Sequence, residues 1–281
     1  MEITNKLLSK SFSYQQSGEA LTDRIEEQEK LNEILEFCRN IDESVYYDDT
    51  LLNTEVEDGI LLYELIYGLK NGTSMDGTVF VREMLTKKCK VKSVESKDMI
   101  LCSCGECDGG VATIQEYARK RQDFLRKIPD CREYGKFMRT CFPNSVFADD
   151  CEQELIHIKD FERHKDEITD CLALLDEKAV SLYYEHQTNL IEAQNILQAM
   201  LKRTCAPDPN HKSELRFEFS YEMQVGGKMQ EKKKWVECQP HFKLIRDDSD
   251  LRVYFQWQDK DVGEGEKVLI GRVGRHPWKK H

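Results

Sequence analysis

The sequence predicts an α+β fold, a helical body followed by a small antiparallel module. Three observations carry that expectation. Apolar residues recur at helical spacing over roughly the first two hundred positions. The breaker segment CAPDPNH, Cys205 to His211, then interrupts the pattern. Beyond it the period changes to two. The domains expected are therefore a mostly helical body over 1–204, a linker over 205–211, and an antiparallel β-rich module over 212–281.

Taken in order, Leu7 to Tyr14 reads as a short strand. Leu21, Ile25, Leu31, Ile34, Leu35 and Cys38 place a helix over about Glu19 to Ile41. SVYYDDTLLNTEV reads as a hairpin, with two β-prone runs flanking Asp48-Asp49. Helices are predicted over Glu57 to Leu69 and Gly77 to Lys88, and KDMILCSC reads as a strand entering a Gly-rich turn. A charged helix from Val111 to Ile128 stops at Pro129, and CFPNSVF reads as extended. The apolar positions between Phe161 and Lys202 fit either one bent helix or a pair turning near Asp176-Glu177. In the last module LRFEFSYEM, WVECQPHFKLI, LRVYFQWQ and KVLIGRVG read as four strands at hairpin spacing, and all three tryptophans, Trp235, Trp257 and Trp278, fall here.

The composition, 40% hydrophobic and 33% charged in 281 residues, fits a folded chain. No run of 18 uncharged apolar residues occurs, and MEITNKLLSKSF lacks the form of a signal peptide, so the expected location is the cytoplasm, with no membrane partner. Eleven cysteines at an odd count are then expected to stay reduced, and Cys38 and Cys171 fall on apolar helical stripes. The net charge of -11 is uneven: residues 1–211 hold 26 Lys+Arg and 40 Asp+Glu, while 212–281 hold 15 and 12. The acidic body disfavours indiscriminate nucleic-acid coating, and only the last module has a charge balance that tolerates a phosphate backbone.

Two constellations could carry chemistry. Cys102, Cys104 and Cys107 lie within six residues ahead of Asp108-Gly109-Gly110, and three thiols on a turn could wrap a structural zinc with Cys89, Cys131 or Cys141 as the fourth ligand. The competing reading is an ordinary turn, since no second CxxC pair exists. In the C-terminal module Glu237, Gln239, His241 and Lys243 share a strand face by their spacing of two, provided Pro240 inserts no bulge. Arg252, Tyr254 and Gln256 share a face of the next strand, and Arg272, Arg275 and His276 lie on or just after the last. Three readings stand side by side. The face is simply wet, or it binds phosphate or a partner through Lys243, Arg252, Tyr254, Arg272, Arg275 and His276. As the third, it is a metal-independent ribonuclease site using His276, His241, Arg272 and Arg275. No P-loop, GxGxxG or GxSxG motif occurs, and no organic cofactor is expected. His157, His164 and His186 form no helical metal pair and are expected on the surface.

The closing strands carry a resemblance. His241-x-Lys243, then Arg252-x-Tyr254-Phe255, then Ile270-Gly271-x-Val273-Gly274-x-His276 is similar to the C-terminal block of a set of bacterial proteins associated with mobile and anti-phage defence loci. The FPNSVF segment with its following helix resembles the middle of such proteins, and Pro277 departs from the pattern, where Leu is usual. The resemblance implies an accessory, non-catalytic subunit working beside an ATPase or nuclease, and nucleic-acid contact through the C-terminal module would suit that role. The last hairpin also resembles that of RelE-like ribosome-dependent toxins, which implies the alternative, a toxin-like ribonuclease effector.

Overall fold

A computed structural model describes residues 3–93, 98–102, 109–208, 211–244 and 251–277. The chain divides into two compact units, Met1–Arg121 and Gln122–His281. The α+β class holds: helices dominate, and the antiparallel pairs lie toward the C-terminus.

The first unit is built on short strands joined by helices. In chain order these are β1 (Asn5–Leu7), α1 (Tyr14–Ser17), α2 (Ile25–Asn40), β2 (Val45–Tyr47), α3 (Asp49–Leu52), β3 (Glu55–Glu57), β4 (Ile60–Leu61), α4 (Leu62–Ile66), α5 (Met75–Lys88), β5 (Cys89–Val91) and β6 (Met99–Leu101). Four of the strands form one sheet in the order β5-β2-β1-β6, every pair parallel. Parallel neighbours need a crossover, and α2 and α5 supply it. Leu31, Ile34, Leu35 and Cys38 of α2 are buried, as are Val81 and Leu85 of α5, each worth about 1.5–3 kcal/mol for a full-sized side chain.

The hairpin expected over 44–56 does not form. Val45–Tyr47 pairs in parallel with β1 instead. Asp48, the expected turn residue, caps α3 by accepting from Thr50 N. The first strand also ends sooner than expected, at Leu7, where Ser9–Ser11 closes a 3-10 turn, and the helix expected over Glu57 to Leu69 shortens to Leu62–Ile66 behind the β3–β4 pair. At the start of α5, Ser74 accepts from Gly77 N. A Cβ at Gly77 would stand 2.1 Å from Thr22 O, so the position admits only glycine.

One polar cluster is buried among these elements. Arg121, 1% exposed, donates from Nη1 to both Glu43 carboxylate oxygens at 2.7 Å. Tyr117 Oη lies 2.9 Å from Asn5 Oδ1, and Cys38 Sγ donates to Tyr117 Oη at 3.3 Å. The network fastens α2, β1 and α6 (Ile114–Leu125) together. Buried charge requires such partners.

The second unit begins with α7 (Cys131–Met138), β7 (Ser145–Phe147), a 3-10 turn over Gln153–His157, α8 (Phe161–Glu185), α9 (Leu190–Leu201) and β8 (Cys205–Ala206). Next come β9 (Arg216–Val225), β10 (Lys228–Glu237), β11 (His241–Lys243), β12 (Arg252–Gln256) and β13 (Val268–Gly274). The long helical region is a pair, α8 and α9, but the turn falls at 186–189 rather than near Asp176. Asp176 sits inside α8 and accepts from Asn144 N at 2.8 Å and Ser145 Oγ at 2.7 Å. A polar residue that reads as a turn is here a tie between helix and strand.

The last four runs do not make one antiparallel sheet. β9 and β10 form a separate two-stranded ribbon, while β11, β12 and β13 join a five-stranded sheet in the order β7-β13-β12-β11-β8. The outer strands come from earlier in the chain: β7 pairs in parallel with β13, and β8 pairs with β11. Part of the expected linker, Cys205–Ala206, is therefore a strand. Between Tyr254 and Phe255 the β12–β13 register shifts by a bulge at Gly271. There a Cβ would meet Phe217 Cδ2 at 2.4 Å, so glycine lets the ribbon's base close on the sheet.

Candidate functional site

The register of the five-stranded sheet decides which of the expected residues meet. His241 pairs with Tyr254, and Tyr254 with Arg272, placing the three in one row across β11, β12 and β13. Two residues along, Lys243 pairs with Arg252, which in turn pairs with Gly274, so the second row shares the face. Glu237 does not join them. It ends β10 in the other sheet, and the chain crosses through Cys238–Pro240 before β11 starts.

The centre of this face is aromatic and buried. The His241 and Tyr254 rings lie 4.9 Å apart, and His276 returns beyond β13 to bring its Nδ1 within 2.6 Å of Tyr254 Oη. Burial holds the Tyr254 phenol above its ordinary range, and either its Oη or His276 Nδ1 can donate the proton they share. His241 is 3% exposed, and burial lowers its pKa from 6.5 to about 4. The neutral ring places Nδ1 3.4 Å from Gln239 O, while Nε2 is buried without a hydrogen-bond partner among the described residues. The ring is enclosed on the sheet rather than open to solvent. It packs against Tyr254.

The cations divide by environment. Arg252 is 4% exposed and donates from Nη1 to Leu251 O. Arg272 pairs with Glu154 at 3.1 Å and donates from Nε to Arg275 O at 2.7 Å. Glu154, contributed by the 3-10 turn, offsets a charge that the local sequence presents as bare. No local signal announces it, because it lies far from Arg272 in the chain. Lys243 is exposed, and Arg275 and His276 are half-exposed. Lys243 and His276 are the more exposed members of this face and Arg252, Tyr254 and His241 its buried ones, while Arg275 is tied to it through its backbone oxygen, which accepts from Arg272 Nε.

The metal reading finds less. Cys104 and Cys107 lie outside the described residues, and Cys102 is buried and disulfide-bonded, at variance with the expectation of reduced thiols. Among the described residues no group of three His, Cys, Asp or Glu could hold a metal ion. Of the fourth ligands considered, Cys89, Cys131 and Cys141 are thiols outside any disulfide, and Cys141 donates to Phe137 O. Cys38 and Cys171 are fully buried, as their stripes predict. His157, His164 and His186 are half-buried, and His186 lies 3.5 Å from Glu192. Trp278 and the Asp247–Asp250 turn lie outside the described residues. Among the described residues no helix is long and apolar enough to cross a membrane. Comparison with family models, with curated proteins and with solved structures finds no match to this chain.

Proposed function

We propose that the chain is a non-catalytic accessory subunit whose C-terminal sheet contacts the phosphates of a nucleic acid. The observation that carries this reading is the pair of rows His241–Tyr254–Arg272 and Lys243–Arg252, closed by the hydrogen bond between Tyr254 and His276. Lys243, Arg275 and His276 carry N–H groups of the types that phosphate oxygens accept from. The groups behind them are buried and fixed, which lowers the entropic cost of binding. An acidic chain with one such face binds weakly alone, and a partner subunit, an ATPase or nuclease of a bacterial defence system, would raise the affinity by adding its own contacts.

The second reading, a toxin-like ribonuclease, draws on the short Tyr254–His276 contact, which suits an acid–base pair. It is the weaker one, since His241 is enclosed and Arg272 is neutralised by Glu154. One experiment separates the two. The purified chain is mixed with labelled single- and double-stranded RNA and DNA, and both anisotropy and strand integrity are followed. Salt-dependent binding without cleavage supports the accessory reading. Cleavage abolished by His276→Ala supports the ribonuclease, and neither binding nor cleavage, with or without a partner ATPase or nuclease, overturns both.

A further inference from the structure

A crevice of about 430 Å³ opens in the second unit, where the ends of β8 and β12 meet the start of α9 and the segment entering β11. Its position follows from the sheet register. β8 pairs with β11 through Ala206 and His241, which sets Pro207 against Pro240 one step further on, and neither carries an N–H for the ladder. Both prolines line the crevice, together with Trp257 just past β12. Lys243 and Arg252 lie at the opposite ends of β11 and β12, so the crevice is a separate place from the basic face.

The polar groups of the lining are chiefly acceptors, and among the described residues it holds no Lys, Arg or His. Glu237 accepts from the Gln239 amide through Oε1, which leaves Glu237 Oε2 and Gln239 Oε1 without a donor among the described residues. Gln256 is already engaged, donating to Glu237 O at 3.3 Å and accepting from Trp257 N at 2.9 Å. Gln194 of α9 is not. It is 7% exposed and makes no side-chain hydrogen bond among the described residues, yet its amide is not sealed off, and it lines the crevice. A buried amide without a partner is costly, and a donor-rich ligand would satisfy its oxygen. Glu192, in the first turn of α9, offsets the positive end of that helix.

We propose that this crevice binds a guanidinium group on an apolar stem. The planar fork of guanidinium N–H donors answers the oxygens of Glu237, Gln239 and Gln194, and the Glu237 carboxylate supplies the countercharge. A guanidinium is weakly hydrated and packs flat against aromatic and apolar surface, which suits walls of proline and Trp257 better than a compact ammonium does. A free alkylguanidine and an arginine side chain of a polypeptide share this chemistry.

The test is calorimetry and ligand-observed NMR on the full chain at low ionic strength. The probes are butylguanidinium, its uncharged isostere butylurea, butylammonium, and N-acetylarginine methylamide. Saturable binding of butylguanidinium is expected, about tenfold or more tighter than that of butylurea. Glu237→Gln keeps an acceptor for the Gln239 amide but loses the charge, and should weaken binding by about tenfold or more. Gln194→Leu should weaken it by roughly three- to tenfold. Both variants should melt like the parent without ligand, so that the loss is one of binding. N-acetylarginine methylamide bound as tightly as butylguanidinium or more so assigns an arginine side chain, and weaker binding of it assigns a free alkylguanidine. Butylurea or butylammonium bound as tightly as butylguanidinium, no binding of any probe at about 5 mM, or unchanged affinity in both variants overturns the proposal.

Discussion

Tyr254 Oη and His276 Nδ1 stand 2.6 Å apart across 22 residues of chain, joining the middle of β12 to the segment that follows β13. The bond holds a half-exposed imidazole over a phenol that is 0% exposed. Tyr254→Phe removes that bond and leaves the ring packing intact. The expected loss is about 1 kcal/mol of stability, or roughly 2–4 °C in melting temperature. Nucleic-acid affinity should fall as well, because His276 is no longer held. Thermal melts and anisotropy check both, and a variant identical to the parent in each would remove the bond from the site.

A second prediction concerns pH. The folded pKa of His241 is depressed from 6.5 to about 4, so the unfolded chain binds more protons in that interval. Its stabilising contribution is present above pH 6.5 and is lost as pH falls toward 4. Asp176 works the other way: burial raises its carboxyl from 3.8 to about 6, against the hydrogen bonds from Ser145 and Asn144. Its contribution is present below pH 3.8 and lost as pH rises through 6. The two trends partly cancel in the parent protein. Against the parent, His241→Gln should flatten the acid side, and Asp176→Asn should remove the loss on the neutral side. Chemical denaturation from pH 4 to 7 resolves the two curves, and parallel curves would show that neither group titrates as described.

The bulge gives a sharper prediction. A methyl group at position 271 would collide with Phe217 at 2.4 Å and Cys238 Sγ at 2.9 Å, both buried. Gly271→Ala should cost about 1–3 kcal/mol, the usual penalty of overpacking. Gly226→Ala is the control for space, since a Cβ there meets nothing within 4 Å, though its positive φ adds some strain. If Gly271→Ala melts no lower than Gly226→Ala, the ribbon does not close on the sheet as described.

These residues show what the sequence makes legible. The period-two alternation announced β9, β12 and β13, while WVECQPHFKLI, which reads as one strand, spans the end of β10 and all of β11; His241, Tyr254 and Arg272 were recognisable as strand residues with polar chemistry. Pairing partners were not, because β7 enters the sheet from ahead of the 205–211 breaker and β8 from within it, and spacing says nothing about which strands neighbour each other. For the same reason the charge on Arg272 read as bare until Glu154 was placed beside it. In the first unit, three-residue strands such as Asn5–Leu7 and Val45–Tyr47 are too short to display alternation, so the parallel sheet left no periodic trace. Asp48 and Asp176 read as turn formers because composition does not distinguish a turn from a cap or a tie.

The buried pair in the first unit is the next test. Arg121 is 1% exposed and both its contacts to Glu43 are 2.7 Å. Glu43→Ala strands a guanidinium away from water, at a cost of about 3–5 kcal/mol. Replacing both residues, Glu43→Leu with Arg121→Met, removes the orphaned charge and should recover most of that loss. A double-mutant cycle by urea unfolding measures the difference. Additive losses would mean that the pair does not interact in the folded chain.

The last prediction bears on the C-terminal face itself. Arg275 and His276 are half-exposed, and Arg275 O accepts from Arg272 Nε through its backbone, which an alanine retains. The double change Arg275→Ala with His276→Ala should therefore leave the fold standing, with a stability loss no larger than that of Tyr254→Phe. Under the accessory reading, affinity for RNA or DNA falls, and the salt dependence of the remaining binding becomes shallower by about one unit for each phosphate contact removed. Under the ribonuclease reading, cleavage falls by about 10²-fold or more. Adding Lys243→Ala should deepen the loss of binding and flatten the slope once more, since Lys243 lies exposed beside Arg252 on the same face. A triple variant that folds and binds nucleic acid with the parent's affinity and salt slope would leave the sheet face as solvated surface and move the search for function elsewhere in the chain.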